Sequence, residues 1–300
     1  MIPAAAPKKV FIMIKTVFVP VSGSDTDTRV FATALAVAKP FGSHMRFFHL
    51  HLSPGEAAVH APHVEFAIGD ALVSALENLR QRGTALSAKA FEHCRDFCEI
   101  KEVRMHSTPA DSGAVSASWT EETRGAMSRL IFHARHSDVV VLGRPRNRDY
   151  MPLGLIETLL MGSGRPIILA PEGPAPEAIR TIVVGWKEAP EAARAVAAAM
   201  PLLEQADRVV LLAIAEEGAA SKEALEDLAR QLAWHGISAE VHMASESAPA
   251  RNQLQRVAAQ LQADLLVVGG FGHGQFRERM FGGVTQALID EAKLPVLMAH

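Results

Sequence analysis

Short apolar runs alternate with longer amphipathic stretches along most of the chain, most clearly in its second half. Val209-Val210-Leu211-Leu212 and Leu265-Leu266-Val267-Val268 are continuously apolar, as strands covered on both faces are. The pattern predicts strand 181–186, helix 189–204, strand 208–214, helix 220–235, strand 238–243, helix 248–262, strand 264–269, helix 282–292 and strand 295–299. Helix 189–204 is rich in alanine, which lets it lie close to a sheet. Strands that alternate with helices imply right-handed crossovers and a parallel sheet. In such a doubly wound domain, ligands are expected outside the carboxyl ends of the strands.

The first half repeats the pattern. Lys15-Thr16-Val17-Phe18-Val19-Pro20-Val21 reads like Arg180-Thr181-Ile182-Val183-Val184-Gly185-Trp186, and Ser137-Asp138-Val139-Val140-Val141-Leu142-Gly143 like Ala263-Asp264-Leu265-Leu266-Val267-Val268-Gly269. Each half closes on a proline-led strand, Pro166–Ala170 and Pro295–Ala299. The prolines of Pro171-Glu172-Gly173-Pro174-Ala175-Pro176 mark a linker between the halves. The expected fold class is therefore α/β: two tandem doubly wound domains, each a five-stranded parallel sheet flanked by helices. Residues 1–14 read as an N-terminal extension, 15–170 as the first domain, 171–179 as the linker and 180–300 as the second domain. Thr16 to Asp138 is longer than Thr181 to Asp264, which places an insertion at about 53–100 whose helical part, one long helix or two consecutive ones, runs from about Glu65 to Phe97. Trp119 is expected to begin a helix after the third strand and to serve as a packing anchor.

Composition narrows the function. Apolar residues make up 49% of the chain and charged ones 21%, enough to bury a substantial core. A net charge of -3 gives no electrostatic argument for a nucleic-acid or anionic-membrane partner. The apolar run Val10–Ile14, preceded by Lys8 and Lys9, is too short for a secretory signal core, and no stretch approaches the ~20 apolar residues of a membrane span. A cytoplasmic protein is expected. Cys94 and Cys98 form no disulfide framework, and the second pair of ligands that zinc needs is not apparent. His49 and His51 share one strand face without an acidic or cysteine partner at metal spacing; His133 and His136 are expected on a solvated helix face. Asp111-Ser112-Gly113 and Ser163-Gly164 sit in no strand–turn–helix elbow with a placed histidine and acid, so no catalytic triad is supported.

The sharpest chemical signal is Gly269-Gly270-Phe271-Gly272-His273-Gly274, directly after strand 264–269, followed by Gly282-Gly283-Val284-Thr285 at the start of the last helix. Glycines let backbone amides approach a ligand without a Cβ in the way. Free amides and the dipole of a helix N-terminus suit a polyphosphate. The Thr285 hydroxyl, Arg277 and Arg279 are near enough in sequence to add donors and charge. Glycine-rich turns also exist merely to reverse a chain, and spacing alone leaves both readings open.

The run Gly269-x-x-Gly272 followed by Gly282, with Phe281-Gly282-Gly283-Val284-Thr285 around it, resembles the nucleotide-binding signature of the universal stress protein family. In that family's ATP-binding branch the glycines wrap phosphates and ribose. The resemblance thus implies ATP, with or without magnesium, held by Gly269, Gly272, His273, Gly282, Gly283, Val284 and Thr285. Gly283 stands where a Ser or Thr is usual. The family's first-strand Asp is Ser22 in the frame Val19-Pro20-Val21-Ser22-Gly23-Ser24, and Lys187 in the second half, where it either reaches a phosphate or faces solvent; Trp186 beside it is expected at the core rim. The first half has Arg144-Pro145-Arg146-Asn147-Arg148-Asp149 and Leu153-Gly154-Leu155-Ile156-Glu157 in place of the glycine elements. It reads as a degenerate partner domain, its arginines the remaining means of binding an anion.

The resemblance further implies an intramolecular pseudo-dimer in which Ile167-Ile168-Leu169-Ala170 pairs with Val296-Leu297-Met298-Ala299 and removes two sheet edges; further dimerisation of the whole chain is open. The function it implies is a nucleotide-binding regulatory protein of stress adaptation, with an unidentified protein partner and at most slow ATP hydrolysis. A nucleotide-free scaffold with two decayed sites is the alternative. An enzyme of the related adenine-nucleotide hydrolase-like architecture ranks last, because Ser22-Gly23-Ser24-Asp25 poorly imitates a pyrophosphate loop.

Overall fold

The computed structural model describes residues 13–51, 70–108, 113–123, 127–144, 154–214, 221–244, 250–271 and 283–300. In the first half β1 (Thr16–Val21) leads into α1 (Asp27–Ala38), a short 3-10 turn (Lys39–Phe41) and β2 (His44–His51). Then come α2 (Asp70–Ile100), β3 (Arg104–Met105), β4 (Ser116–Thr123), α3 (Met127–Arg135), β5 (Val139–Leu142), α4 (Leu155–Gly162) and β6 (Ile167–Leu169). The second half follows as β7 (Thr181–Gly185), α5 (Pro190–Leu203), β8 (Arg208–Ile214), α6 (Lys222–Ala233), β9 (Ala239–Ala244), α7 (Ala250–Gln260), β10 (Leu265–Gly269), α8 (Gly283–Glu291) and β11 (Val296–Ala299). Every strand and helix expected from the alternation of the second half is present within a residue or two.

The strands of the described residues join one sheet, in the order β3-β4-β2-β1-β5-β6-β11-β10-β7-β8-β9. Neighbours are parallel except at the centre, where β6 and β11 run antiparallel with Ile168 opposite Leu297. The pairing expected of the two last strands is thus found, and it fuses two doubly wound halves into a single sheet. Among the described residues the second half has the expected five strands. The first shows six among its described residues, because the two-residue β3 adds itself to β4 through Arg104↔Ser116 and Met105↔Ala117. A pair so short and exposed leaves no alternation for the sequence to show.

The period-2 alternation of side chains divides the core between the sheet's two faces. Val17, Val19, Ile168, Ile182, Val184 and Leu211 pack under α1, α2, α5 and α6, whereas Phe18, Val140, Leu169, Val183 and Leu266 pack under α3, α4, α7 and α8. Each of these two clusters runs through both halves, so the core does not divide where the domains do. The repeat extends to hydrogen bonds. Asp138 Oδ2 accepts from the Lys15 and Thr16 amides, and Asp264 Oδ2 accepts from those of Arg180 and Thr181, at 2.8–2.9 Å.

Three expectations of the first half are corrected. Trp119 lies inside β4, opposite Phe47, and does not start a helix. The segment 116–123 carries polar residues at nearly every second position, and the strand was hidden in them. The helical part expected at about Glu65–Phe97, as one long helix or two, is a single helix over Asp70–Ile100, and it is not all insertion: its second part is the domain's own crossover, with Ala90, Cys94, Phe97 and Cys98 buried against the sheet. His133 is packed within ring contact of Phe18 and Phe48 rather than solvated. Its Nε2–H donates to Glu122 at 2.8 Å, a partner from β4 that helical spacing alone does not reveal.

Candidate functional site

In the second half the chain moves outward from β7 to β8 and β9, then crosses back to β10 and β11. The switch point is therefore between β7 and β10, where Gly185 is in register with Val268. Gly185-Trp186-Lys187 leaves one strand and Gly269-Gly270 the other, at the same edge. Because β10 and β11 are parallel neighbours, α8 runs back against them and its first residue, Gly283, starts on that edge too. Val284 and Thr285 follow in its first turn, and Thr285 is buried. The amides of this turn have no helical acceptor of their own. Gly272, His273 and Gly282 fall outside the described residues, as do Arg277 and Arg279. Lys187 is exposed. Trp186 is half-buried against the core, its indole N–H donating to Glu188 at 2.8 Å.

Two of the glycines have structural partners. A Cβ on Gly269 would lie 2.7 Å from the Ala192 nitrogen and 2.8 Å from the Glu191 carbonyl carbon, so this glycine lets the N-terminus of α5 close onto β10. Alanine at 192, 195 and 199 completes the approach. Gly270 donates its N–H to Ala299 at 2.8 Å and accepts from His300 Nδ1 at 3.1 Å. A Cβ there would meet Leu160 of α4, across the junction of the halves, at 2.7 Å. Sequence spacing cannot separate this packing demand from a ligand's demand, since both ask for a missing Cβ.

The equivalent edge of the first half is filled by its own side chains. Asp27, buried in the first turn of α1, accepts from Ser22 N at 3.2 Å, Ser22 Oγ at 2.7 Å and Gly23 N at 2.7 Å. Ser22, Ser24 and Thr26 continue as a chain of hydroxyls 2.7 Å apart. Burial raises the Asp27 carboxyl above the usual carboxylate value, and the hydrogen bonds from Ser22 and Gly23 oppose that rise. The helix α2 lies over this loop: a Cβ on Gly23, whose φ is +81°, would meet the Leu86 carbonyl oxygen at 2.7 Å. Lys89 pairs with Asp25 at 2.9 Å. Asp27 escaped the sequence reading, although an acid in the first helical turn three residues after a Ser is a recognisable amide acceptor.

Of the three arginines left as a means of binding an anion, Arg146 and Arg148 lie outside the described residues. Arg144 is buried and faces the other half. Its Nε donates to Ile289 O at 2.7 Å and its Nη2 to Leu288 O at 3.2 Å, while Nη1 bonds to Ala170 O. A small cleft remains between Thr26, Arg29, Gly143, Arg144, Pro171 and Glu172. Arg29 is turned onto the Glu172 carbonyl.

Among the described residues the histidines and cysteines assemble no further centre. His49 is buried and donates through Nδ1 to Val21 O at 2.9 Å. Cys94 and Cys98 are both buried; their mutual hydrogen bond and burial push the Cys94 thiol well up, away from the reactive thiolate. Among the described residues no group of three His, Cys, Asp or Glu is placed to hold a metal ion, and no helix is long and apolar enough to cross a membrane.

The model of the Universal stress protein family matches residues 178–300. A universal stress protein from Archaeoglobus fulgidus DSM 4304 has the same architecture with a TM-score of 0.68 at 13% identity, over 96% of this chain and 97% of that one. A structure from Pseudomonas aeruginosa UCBPP-PA14 assigned to the same family gives 0.52 at 15% identity, over 95% and 93%. A protein of unknown function from Pseudomonas aeruginosa PAO1 gives 0.50 at 15% identity, over 95% and 92%. No curated protein matches the chain. At such identities the solved structures speak for fold, and the family model speaks for sequence. The C-terminal half of the chain therefore belongs to the universal stress protein family, and the chain as a whole has the fold of a tandem, two-domain member.

Proposed function

We propose that the chain is a regulatory protein whose C-terminal domain binds an adenine nucleotide, ATP with or without magnesium, at the β7–β10 switch point. One observation carries the reading: the glycine-bearing ends of β7 and β10 and the open first turn of α8 converge on one edge, inside the part of the chain that matches the family. In this reading Gly269 keeps the edge compact. Gly272, His273, Gly282, Gly283, Val284 and Thr285 supply amides and a hydroxyl to the phosphates, and Lys187 adds charge. The first domain supports the second and holds no nucleotide, because Asp27 already takes the amides of its β1 loop and Arg144 faces the second domain. A role in stress adaptation, a cytoplasmic location and a protein partner that reads the occupied state complete the proposal. Hydrolysis, in this reading, is at most slow.

A nucleotide-free scaffold is the second reading, and Gly269 and Gly270 favour it, since both have packing reasons that need no ligand. The two readings separate in one experiment. Freshly purified protein is denatured and its supernatant analysed for nucleotide, beside a Gly282→Glu variant. Near-stoichiometric ATP or ADP in the wild type and none in the folded variant supports the binding protein. No nucleotide, with no thermal stabilisation by millimolar Mg-ATP, leaves the scaffold.

A further inference from the structure

The two helices that precede the central strands, α4 and α8, are equivalent by the repeat but are held in different ways. At the end of α4 the Gly162 carbonyl accepts from Arg135 Nε at 3.1 Å and Nη2 at 2.8 Å, a cap supplied by α3 of the same half. Aligning Asp138 with Asp264 puts Leu261 where Arg135 stands, so the second half lacks that arginine. Its α8 also has no basic residue in its own last turn. The open carbonyls there, Leu288 O and Ile289 O, are taken instead by Arg144 of the first half. A guanidinium at a helix C-terminus satisfies orphan carbonyls and opposes the negative end of the dipole.

We infer that Arg144 is a positioning residue for the nucleotide edge of the other domain: by clamping the C-terminus of α8 it fixes where the open N-terminus of α8 stands. The inference rests on the nucleotide reading above for the ligand, and on the hydrogen bonds alone for the clamp. With nine residues, α8 is a rod of about 13 Å. Holding one end on Leu288 and Ile289 therefore sets the other at Gly283. Linkage is reciprocal, so a nucleotide that needs this placement also tightens the clamp and the junction of the halves. Such a clamp gives the degenerate first half a task that needs no ligand of its own.

The test uses the full-length chain, with ATP as probe. Arg144→Met keeps the aliphatic bulk and removes every donor; Arg144→Lys keeps a single charged donor. Deuterium uptake of α8 is measured without nucleotide, and the Kd for ATP is measured separately. The clamp predicts faster uptake in α8 and about tenfold weaker ATP binding for the Met variant, with the Lys variant between it and wild type. Uptake in α8 equal to wild type refutes the clamp. Faster uptake with unchanged Kd refutes the positioning role. Wild-type protein that binds no ATP removes the nucleotide reading and the positioning role with it, while uptake still decides the clamp. Should the Met variant not fold, the Lys variant carries the same comparison.

Discussion

At Gly269 the nearest obstacles to a side chain are backbone atoms of α5, which cannot rotate away. At Gly143, its equivalent in the first half, the nearest is the Val30 Cγ2 at 3.0 Å, which can. Gly269→Ala is therefore expected to lower stability by about 1–3 kcal/mol in nucleotide-free protein, and Gly143→Ala by less. Urea midpoints measure both, and equal midpoints for the two variants would remove the packing role assigned to Gly269. Glu122 offers a different test. Hydrogen bonds from Arg129 at 2.6 and 2.7 Å, joined by His133, hold its carboxyl at about 2 against the ordinary 4.5. A depressed folded value means stability that is present above pH 4.5 and lost as pH falls through 2. Glu122→Gln should flatten the acid limb of the stability–pH curve between those limits; superimposable curves would mean that the pairing is absent in solution.

Elements show where the sequence was readable. The second half was legible almost throughout, because its strands are apolar runs and its helices have a clear polar face. β4 was not: its 116–123 segment is dominated by Ser, Thr and Glu, and only Trp119 and its neighbours mark it as strand. The helix α2 was legible as helix but not as to which part belongs to the fold. Among the side chains described in α2, the buried ones lie from Ser87 onward, whereas Val73, Ser74, Arg80, Gln81 and Arg82 are exposed. The two parts should differ in protection. Amides of 73–84 are expected to exchange with solvent at least about tenfold faster than those of 90–98, as local opening costs little where few contacts are lost. Equal protection along α2 would show that its first turns are packed against something. At the edge of β10 the sequence marked the glycines but not their reasons, because Gly269 answers to α5 and Gly270 to α4, both far away in the chain. The partners of Arg144 were hidden for the same cause: a charge in a loop looks available until the carbonyls of another half are seen beside it.

On the scale of the whole molecule, the antiparallel seam between β6 and β11 decides how the halves behave. Ile167, Ile168 and Leu169 face Met298, Leu297 and Val296, all buried, and the core clusters of both sheet faces continue through them. A second half cut free at residue 178 would expose β11 as an apolar edge strand, with unpaired N–H and C=O groups. The cheapest repair is to pair that edge with the same strand of another copy, antiparallel about a two-fold axis, as an isologous dimer does. The fragment 178–300 is accordingly expected to fold and to sediment as a dimer. A charge at the seam, Leu297→Lys, should turn the fragment into a monomer or an aggregate. The same substitution in the full chain acts on a seam whose partner is covalently tethered, so the chain should remain one molecule of lowered stability. A monomeric wild-type fragment with unchanged thermal stability would mean that the seam contributes little and that the halves are independent domains that merely touch. A dimeric fragment would mean that the first half replaces a second copy of the second at the seam, and that the seam is what the tandem arrangement keeps.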